Sequence, residues 1–236
     1  MKTCRVISDL HLFSGRSLAV KYDSTIQQSA ASADAFVLNG DIFDFRWSTL
    51  PSTDATIEAA TQWLTGLVKS YPNCQFHYVL GNHDHFEQFT RNLDVLARLE
   101  SNFSWHPFYL RNGSNVFLHG DVANGWITPT RLARLRSQTG FHLPRGAIMN
   151  ALYDLAIRLR LHIIAAGLAY PKHVVVRRLH AYLDELRIGH RDGVRNVYFG
   201  HTHLALDNYE INGLTFHNCG APIAGLRFNI LETTFS

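Results

Sequence analysis

The stretch "FHYVLGNHD", residues 76–84, decides the fold of this chain, because an apolar run leads directly into a polar cluster. The run "FHYVL" is typical of a buried strand. Asn82, His83 and Asp84 stand where that strand ends. Four other strand-like runs end in similar clusters, which are Asp9-x-His11, Gly40-Asp41, His119-Gly120-Asp121 and Gly200-His201-Thr202-His203.

We expect the five clusters to meet at one place. Polar side chains at the carboxyl ends of strands in an open sheet converge on a single crevice. Taken one at a time, each cluster is more often a turn or a pair of surface histidines. Five clusters in the same structural context, all of residue types that ligate metals, instead predict a metal site. Because alternate residues of an extended segment face the same way, Asp9 and His11 can bind one ion together.

The His201-x-His203 pair predicts two ions rather than one. Such a pair spans about 6–7 Å along a strand, whereas paired metal ions lie about 3.5–4 Å apart. Each histidine can therefore serve one of two neighbouring ions. One carboxylate must then bridge the ions, and Asp41 is the candidate. A mixture of His, Asp and Asn ligands without thiolate suits manganese, iron or zinc.

The first half of the chain alternates strand-like runs with helix-like segments, and this alternation predicts a layered α/β core. The strand-like runs are those that end in the clusters. The helix-like segments have apolar residues at helical spacing. They cover residues 24–33, 56–70 and 94–100.

The second half begins with helices and ends with strands. No good strand is predicted from residue 128 to residue 186, where the candidate helices cover 129–137, 144–168 and 171–187. After them, the Asn212-Gly213 pair between two β-rich runs predicts a hairpin, which suggests a second sheet packed on the first. We therefore expect one domain, 1–236, that contains a helical insertion at 126–190.

The composition is that of a globular protein. Of 236 residues 46% are hydrophobic, and the formal charge of +3 permits an anionic substrate. Basic residues are scattered rather than grouped, which argues against nucleic acid as a partner. Three widely spaced cysteines predict reduced core thiols. The short, interrupted apolar N-terminus and the lack of an apolar run of about 18 residues predict a cytoplasmic protein.

In this order, the motifs D-x-H, GD, GNHD, HGD and GHTH resemble those of the calcineurin-like metallophosphoesterases, over residues 9 to 203. The resemblance implies a β-sandwich of two mixed sheets flanked by helices, with two divalent metal ions. Manganese is the metal we expect first for both ions. By motif position, the first ion takes Asp9, His11, Asp41 and His203. The second ion takes Asp41, Asn82, His119 and His201.

The same resemblance assigns catalytic roles to two further residues. His83 lies at the position of an acid or transition-state stabiliser, and Asp84 is expected to orient its ring and fix its tautomer. The implied reaction is direct hydrolysis of a phosphoester by a metal-activated hydroxide, without a covalent intermediate. His85 has no role in the family pattern, and we expect it at the pocket edge or on the surface.

The motifs "SDLHL" and "GDIFDFRW", together with the helical insertion, also resemble the UDP-2,3-diacylglucosamine hydrolases of lipid A synthesis. In that family the insertion forms a lid that holds acyl chains. The resemblance implies a lipid-linked substrate that is cleaved to UMP and an acyl-sugar 1-phosphate. The best-studied branch has arginine at the position of His83, and a sister branch has histidine.

The insertion itself is apolar on more than one face, so its helices must be covered by something. One interpretation is packing against neighbouring helices. The other is an acyl groove or a face that contacts the surface of the inner membrane, where arginines would meet phosphates or lipid headgroups. The arginines are Arg158, Arg160, Arg177 and Arg178, which could equally be solvated. The apolar residues are Ala147, Ile148, Ala151, Leu152, Leu155, Ile157, Leu159, Leu161, Ile163 and Ile164.

Other functions of the same family remain as alternatives. Protein phosphatases carry GDxxDRG and GNHE, which differ from "GDIFDFRW" and "GNHD". A nuclease would favour a basic groove with stacking aromatic residues. A phosphodiesterase or phosphatase that acts on a soluble nucleotide is the main alternative. A non-catalytic interaction scaffold would have lost metal ligands, and this sequence has lost none.

Overall fold

Ten strands form two sheets in the part of the chain that the structure, a computed structural model, describes, namely residues 2–139 and 146–235. In chain order they are β1 (Lys2–Ile7), β2 (Ala35–Asn39), β3 (Gln75–Val79), β4 (Phe103–His106), β5 (Tyr109–Asn112), β6 (Asn115–Leu118), β7 (Asn196–Phe199), β8 (Leu206–Ile211), β9 (Leu214–Asn218) and β10 (Leu231–Phe235). The first sheet has the order β10-β1-β2-β3-β4, and the second has the order β5-β6-β7-β9-β8.

The first sheet is parallel from β1 to β4, with β10 antiparallel at one edge. The carboxyl ends of β1, β2 and β3 therefore lie at the same edge of the sheet. Every residue of β2 is buried. A strand covered on both faces reads as a continuous apolar run rather than an alternating one, and the sequence "AFVLN" has this character.

The second sheet has β6, β7 and β9 parallel, with β5 and β8 as antiparallel edges. The hairpin between β8 and β9 turns at Asn212 and Gly213, whose φ angles are 52° and 77°. A two-residue hairpin of this kind needs positive φ at both positions, and Asn-Gly supplies it at low cost. The predicted hairpin is confirmed.

The two sheets pack face to face around a shared core. Phe117 of β6 and Tyr198 of β7 belong to the same buried cluster as Phe36 and Phe76 of the first sheet. The rings of Phe117 and Tyr198 are stacked, with centroids 5.0 Å apart. Two mixed sheets flanked by helices confirm the predicted fold class.

Seven α-helices surround the sheets within the described residues. Ser52 caps the second of them, because its side-chain oxygen accepts the backbone N–H of Ala55. A short 3₁₀ turn, Asp121–Asn124, follows β6. The helices are α1 (Asp23–Ser32), α2 (Thr53–Ser70), α3 (Glu87–Leu99), α4 (Pro129–Thr139), α5 (Ala147–Arg158), α6 (Leu161–Ala169) and α7 (Lys172–Glu185).

The single helix predicted over 144–168 was wrong, because the segment forms α5 and α6. The chain turns at Arg160, which has a φ of 58° in the left-handed region and therefore cannot continue a right-handed helix. Periodicity did not reveal the break, since apolar residues continue on both sides of it. Residues 144–145 lie outside the described part of the chain.

Two more differences concern the region between residues 87 and 112. Helix α3 begins at Glu87, well before the predicted start at 94, and it buries Phe89 in its first turns. Strands β4 and β5 were not predicted. Each has only four residues, "FSWH" and "YLRN", and neither shows a clear apolar alternation.

The helices of the insertion differ in how far they are buried. Helix α7 packs its apolar side on the second sheet and buries five side chains, which are Val175, Val176, Leu179, Tyr182 and Leu183. Helix α6 buries none of its residues. Among the large apolar side chains described in α5, only Ile157 is buried. The apolar surface of α5 and α6 is therefore largely exposed.

The three cysteines, Cys4, Cys74 and Cys219, are free and buried. Burial raises the pKa of each thiol to about 12. This agrees with the prediction of core thiols. Among the described residues, no helix combines the length and the apolar character that crossing a membrane requires.

Candidate metal centre and active site

The polar clusters lie together where β1, β2, β3, β6 and β7 end, as their sequence positions predict. His, Asp and Asn side chains from segments up to 194 residues apart in the chain meet there, because parallel strands deliver their carboxyl ends to one place. Three groups of potential ligands have atoms within 4.8 Å of one another. They are Asp9-His11-His203, His11-Asp41-His83 and Asp41-His119-His201.

The first centre is built by Asp9, His11 and His203. The Nε2 atoms of His11 and His203 lie 2.9 Å apart, and His203 Nε2 is 3.6 Å from Asp9 Oδ1. His11 Nε2 is also 4.0 Å from Asp41 Oδ2. Two imidazole nitrogens and two carboxylates therefore face the same small volume.

The second centre lies beside the first and uses the same carboxylate. His119 Nε2 is 3.2 Å from Asp41 Oδ2 and 3.1 Å from the side-chain oxygen of Asn82. His201 completes this group. Asp41 Oδ2 therefore lies near ring nitrogens of both centres.

The backbone at this site is strained. Non-glycine residues rarely adopt positive φ, and such conformations cost on the order of 1–3 kcal/mol each when the surroundings enforce them. The φ angles here lie between 47° and 66°. The residues with this backbone are Asp9, His11, Asp41, His201 and His203. Strain concentrated on ligand-type residues is typical of a functional site.

Glycines let the carboxylates approach the backbone. A Cβ atom on Gly81 would lie 2.2 Å from Asp41 Oδ1, and one on Gly200 would lie 2.2 Å from Asp9 Oδ2. Both distances are far below a van der Waals contact. The two glycines therefore permit the positions of Asp41 and Asp9 that the cluster needs.

The charges of the cluster suit divalent cations. Burial lowers the pKa of His11 and of His201 to about 4, so both rings are neutral at pH 7, the form that binds metals. Burial and the neighbouring Asp41 carboxylate raise the pKa of Asp9 to about 7 against the opposing effect of His119, so the site favours additional positive charge. Two divalent ions would supply that charge, and the buried N and O donors fit them.

In the structure, the carboxylate that pairs with the His83 ring is not the one predicted from the sequence. Asp84 was predicted to orient His83, and that prediction was wrong. Nδ1 of His83 lies 2.9 Å from Oδ1 of Asp44 instead. Burial disfavours the charged imidazole, but the carboxylates of Asp44 and Asp41 outweigh it and raise the pKa of His83.

Asp84 stabilises the turn that follows β3. Its oxygens accept the backbone N–H of Gly81 at 2.7 Å, that of Ile42 at 3.1 Å, and the hydroxyl of Tyr78 at 2.6 Å. These bonds tie the GNHD turn to the end of β2.

Sequence reasoning missed Asp44 and Arg16. Arg16 is buried, and its Nη2 donates to Asp44 Oδ2 at 2.8 Å and lies 3.0 Å from His11 Nδ1. Asp44 therefore contacts His83, Arg16 and His11 together. The second aspartate of "GDIFD" was a signal for Asp44, whereas nothing in the sequence around Arg16 distinguished it from a surface arginine.

The insertion is anchored beside the site by a buried ion pair. Arg136 of α4 donates from Nε and Nη2 to the two oxygens of Asp121, at 2.9 and 2.8 Å. Burial opposes ionisation of Asp121, but the guanidinium lowers its pKa to about 2. Asp121 thus holds an insertion helix and was not assigned any role from the sequence.

His85 is half-buried and lies apart from the metal cluster. It lines a separate cavity of about 310 Å³ with Trp105 and Pro107. Burial and the nearby Arg136 guanidinium lower its pKa.

A second cavity, of about 350 Å³, opens directly over the cluster. Its polar end is formed by four residues of the site, which are Asp41, His83, His201 and His203. Its other wall is largely apolar and comes mainly from the insertion. Its apolar residues are Ile157, Ala165, Ala166, Ala169, Ile223 and Leu226, and the cavity is also lined by His162, Tyr170 and Thr202.

A family model described as calcineurin-like phosphoesterase matches residues 3–205. Among curated proteins, none matches the chain. One similar solved structure is an uncharacterised protein of Streptococcus pneumoniae TIGR4, described as a predicted phosphoesterase, with 13% identity, 99% of this chain and 83% of that chain covered, and a TM-score of 0.41. Another is a dimetal phosphatase from Danio rerio, with 12% identity, 99% of both chains covered and a TM-score of 0.49.

Proposed function

This chain belongs to the calcineurin-like phosphoesterase family, and from that premise we propose that it hydrolyses the diphosphate bond of a nucleotide-linked acylated sugar. The products would be UMP and an acyl-sugar 1-phosphate. Family membership and the His/Asp clusters make the chain a metal-dependent phosphohydrolase. The substrate and the choice of manganese, with iron or zinc as alternatives, are the proposal.

Seven side chains would hold two ions. Asp9, His11 and His203 would bind the first, Asn82, His119 and His201 the second, and Asp41 both. When bound, such a pair of ions activates water and neutralises phosphate oxygens.

His83 would act on the departing oxygen. Its Nδ1 is held by Asp44, and the ring lines the cavity, so Nε2 is the nitrogen left to reach the phosphate. The carboxylates of Asp44 and Asp41 outweigh burial and raise the pKa of the ring, which favours its protonated form. His83 can therefore donate a hydrogen bond to the phosphate or a proton to the leaving group.

The apolar wall of the cavity is the observation that carries the substrate proposal. A small soluble phosphoester needs polar contacts around the cluster. Here α6 instead lines the cavity mainly with small apolar residues, Ala165, Ala166 and Ala169, beside a single imidazole, that of His162. A substrate with a diphosphate at one end and acyl chains at the other matches both ends of this cavity.

The test compares UDP-2,3-diacylglucosamine with UDP-N-acetylglucosamine. Each buried methylene contributes about 0.8 kcal/mol, so five methylenes on the wall would favour the acylated compound in kcat/KM by roughly 10³-fold. Equal rates would exclude the lipid-linked substrate and leave a soluble nucleotide or phosphodiester. Failure to cleave any aryl phosphodiester, with manganese, iron or zinc added, would instead argue against the phosphoesterase chemistry.

A pair of variants separates the wall from the outer surface of the same helix. Ala166→Phe fills the cavity, and displacement of about two methylenes should lower kcat/KM for the diacylated compound by roughly tenfold. Hydrolysis of a small aryl phosphodiester should stay close to that of the unmodified protein. Leu168→Phe, on the exposed face of α6, is the matched control and should change neither rate.

The exposed face of α5 and α6 suits contact with an anionic lipid surface. Within the described residues it carries eight large apolar side chains, with Ile148 and Leu168 each 78% exposed. Arg158 and Arg160 are exposed at the junction of the two helices and would meet lipid phosphates. A lipid-linked substrate would be reached from such a surface, so we propose peripheral contact with the cytoplasmic side of the inner membrane. The other apolar residues are Met149, Leu152, Leu155, Leu159, Leu161 and Ile164.

A further inference from the structure

Asn124 connects the metal cluster to the helical insertion. It is the last residue of the 3₁₀ turn that follows β6. Its side-chain oxygen lies 2.9 Å from Nε2 of His201. The hydroxyl of Tyr170, which directly follows α6, donates to the same oxygen at 2.7 Å.

We propose that Asn124 is a positioning residue that fixes the tautomer and the ring orientation of His201. A carbonyl oxygen only accepts hydrogen bonds, so Nε2 of His201 must carry the proton. Nδ1 then keeps its lone pair and is the atom available to a metal ion. The inference rests on the proposed two-metal centre but not on the identity of the substrate.

Tyr170 shares the amide oxygen of Asn124 with His201. The hydroxyl of Tyr170 and Nε2–H of His201 can both donate to one oxygen. If the amide were reversed, its NH₂ group would face Nε2 and would select the opposite tautomer. The ring of Tyr170 also packs edge-on against His201, with centroids 5.9 Å apart, and limits rotation of the imidazole.

The turn that carries Asn124 is held by two helices of the insertion. Arg136 of α4 pairs with Asp121, and Arg178 of α7 donates to the carbonyl of Ala123 at 2.6 Å. Asn124 is thus placed by groups outside the two sheets. The insertion therefore takes part in ordering a ligand of the metal centre, besides forming the wall of the cavity.

The direct test is the tautomer of His201 in the metal-free protein at pH 8. Long-range ¹H–¹⁵N NMR distinguishes a ring protonated at Nε2 from one protonated at Nδ1, and a His201→Ala spectrum assigns the signal. We expect the Nε2–H form in the unmodified protein and a mixture in Asn124→Ala. An Nδ1–H ring in the unmodified protein would overturn the proposal.

Metal titration by calorimetry gives a second readout. Loss of a group that orients a metal ligand typically lowers metal affinity about 10–100-fold. Asn124→Ala should weaken one of the two manganese sites to this extent and leave the other unchanged. Asn124→Asp keeps an acceptor oxygen and should restore the weakened site.

The matched control is Asn73→Ala, an exposed asparagine just before β3 and hence at the opposite edge of the sheet. It should bind both ions as the unmodified protein does. Wild-type affinity at both sites in Asn124→Ala would contradict the proposal. Equal weakening of both sites in Asn124→Ala, with no recovery in Asn124→Asp, would also contradict it, because that pattern indicates a general disturbance of the structure.

Discussion

At the scale of single residues, Asp44 contacts two imidazoles of the site, and the proposed role of His83 depends on this arrangement. One of its oxygens accepts from His83, and the other faces Arg16 and lies 3.3 Å from Nδ1 of His11. Burial would raise the pKa of Asp44, but His83 and Arg16 hold it well below the ordinary value. Asp44 therefore stays ionised and stabilises the charged form of His83.

The pH dependence of activity tests this arrangement. An acid must be protonated, so kcat/KM should fall as the pH rises through the raised pKa of His83. Asp44→Asn removes a negative neighbour, lowers that pKa, and should move the alkaline fall to lower pH, with a loss of about 10–100-fold at neutral pH. Asp54→Asn, an exposed residue in the first turn of α2, is the control and should leave the profile unchanged.

A comparison of leaving groups tests whether His83 acts as a general acid. If His83 protonates the departing oxygen, nitrophenol substrates should suffer less from Asp44→Asn than alkyl phosphoesters, since nitrophenolate leaves without a proton. An unshifted alkaline limb in Asp44→Asn would show that Asp44 does not control His83.

The sequence predicted that His83 lies at the site, but it did not predict which carboxylate pairs with it. GNHD suggested that Asp84 orients His83, because the two are adjacent in the chain. Adjacent side chains at a turn point in different directions. The hydrogen bond of His83 is instead made to Asp44, from the segment that follows another strand. Asp44 and Arg16 could be found only once the strand ends were placed side by side.

At the scale of secondary structure, α6 is the element with two apolar faces. Residues 162, 165, 166 and 169 line the cavity, whereas Leu161, Ile164 and Leu168 are exposed. The two sets repeat at helical spacing and occupy two different sides of one helix. Periodicity in the sequence indicated apolar character on more than one face, but it could not say which face meets the cavity.

Binding to vesicles tests the outer face of α6. The unmodified protein should sediment with phosphatidylglycerol vesicles and less with phosphatidylcholine, because Arg158 and Arg160 each gain about 1 kcal/mol near anionic lipid. Combining Ile164→Glu with Leu168→Glu should lower the bound fraction at least tenfold, since about 1.5–3 kcal/mol is lost for each large apolar side chain that would be buried.

The control for the vesicle assay is Val20→Glu. Val20 is 82% exposed and lies in the turn before α1, outside α5 and α6. It should bind vesicles like the unmodified protein. Undiminished sedimentation of the α6 double variant would remove this helix from any membrane contact.

At the scale of the whole molecule, topology explains why the site was predictable. Parallel strands in both sheets send their carboxyl ends to the same region, so clusters at residues 9, 41, 82, 119 and 201 had to converge. The order of strands, the short strands β4 and β5, and the break between α5 and α6 depend on long-range packing. Local sequence patterns contain little information about such packing.

The two-metal centre is tested by the metal content of three proteins, measured by elemental analysis after loading with manganese. The unmodified chain should hold two ions. Asp41→Asn should lose much of both, because Asp41 Oδ2 faces both centres, whereas His119→Ala should lose only one. Two ions retained in Asp41→Asn, or no more than one in the unmodified chain, would contradict a two-metal centre that shares Asp41.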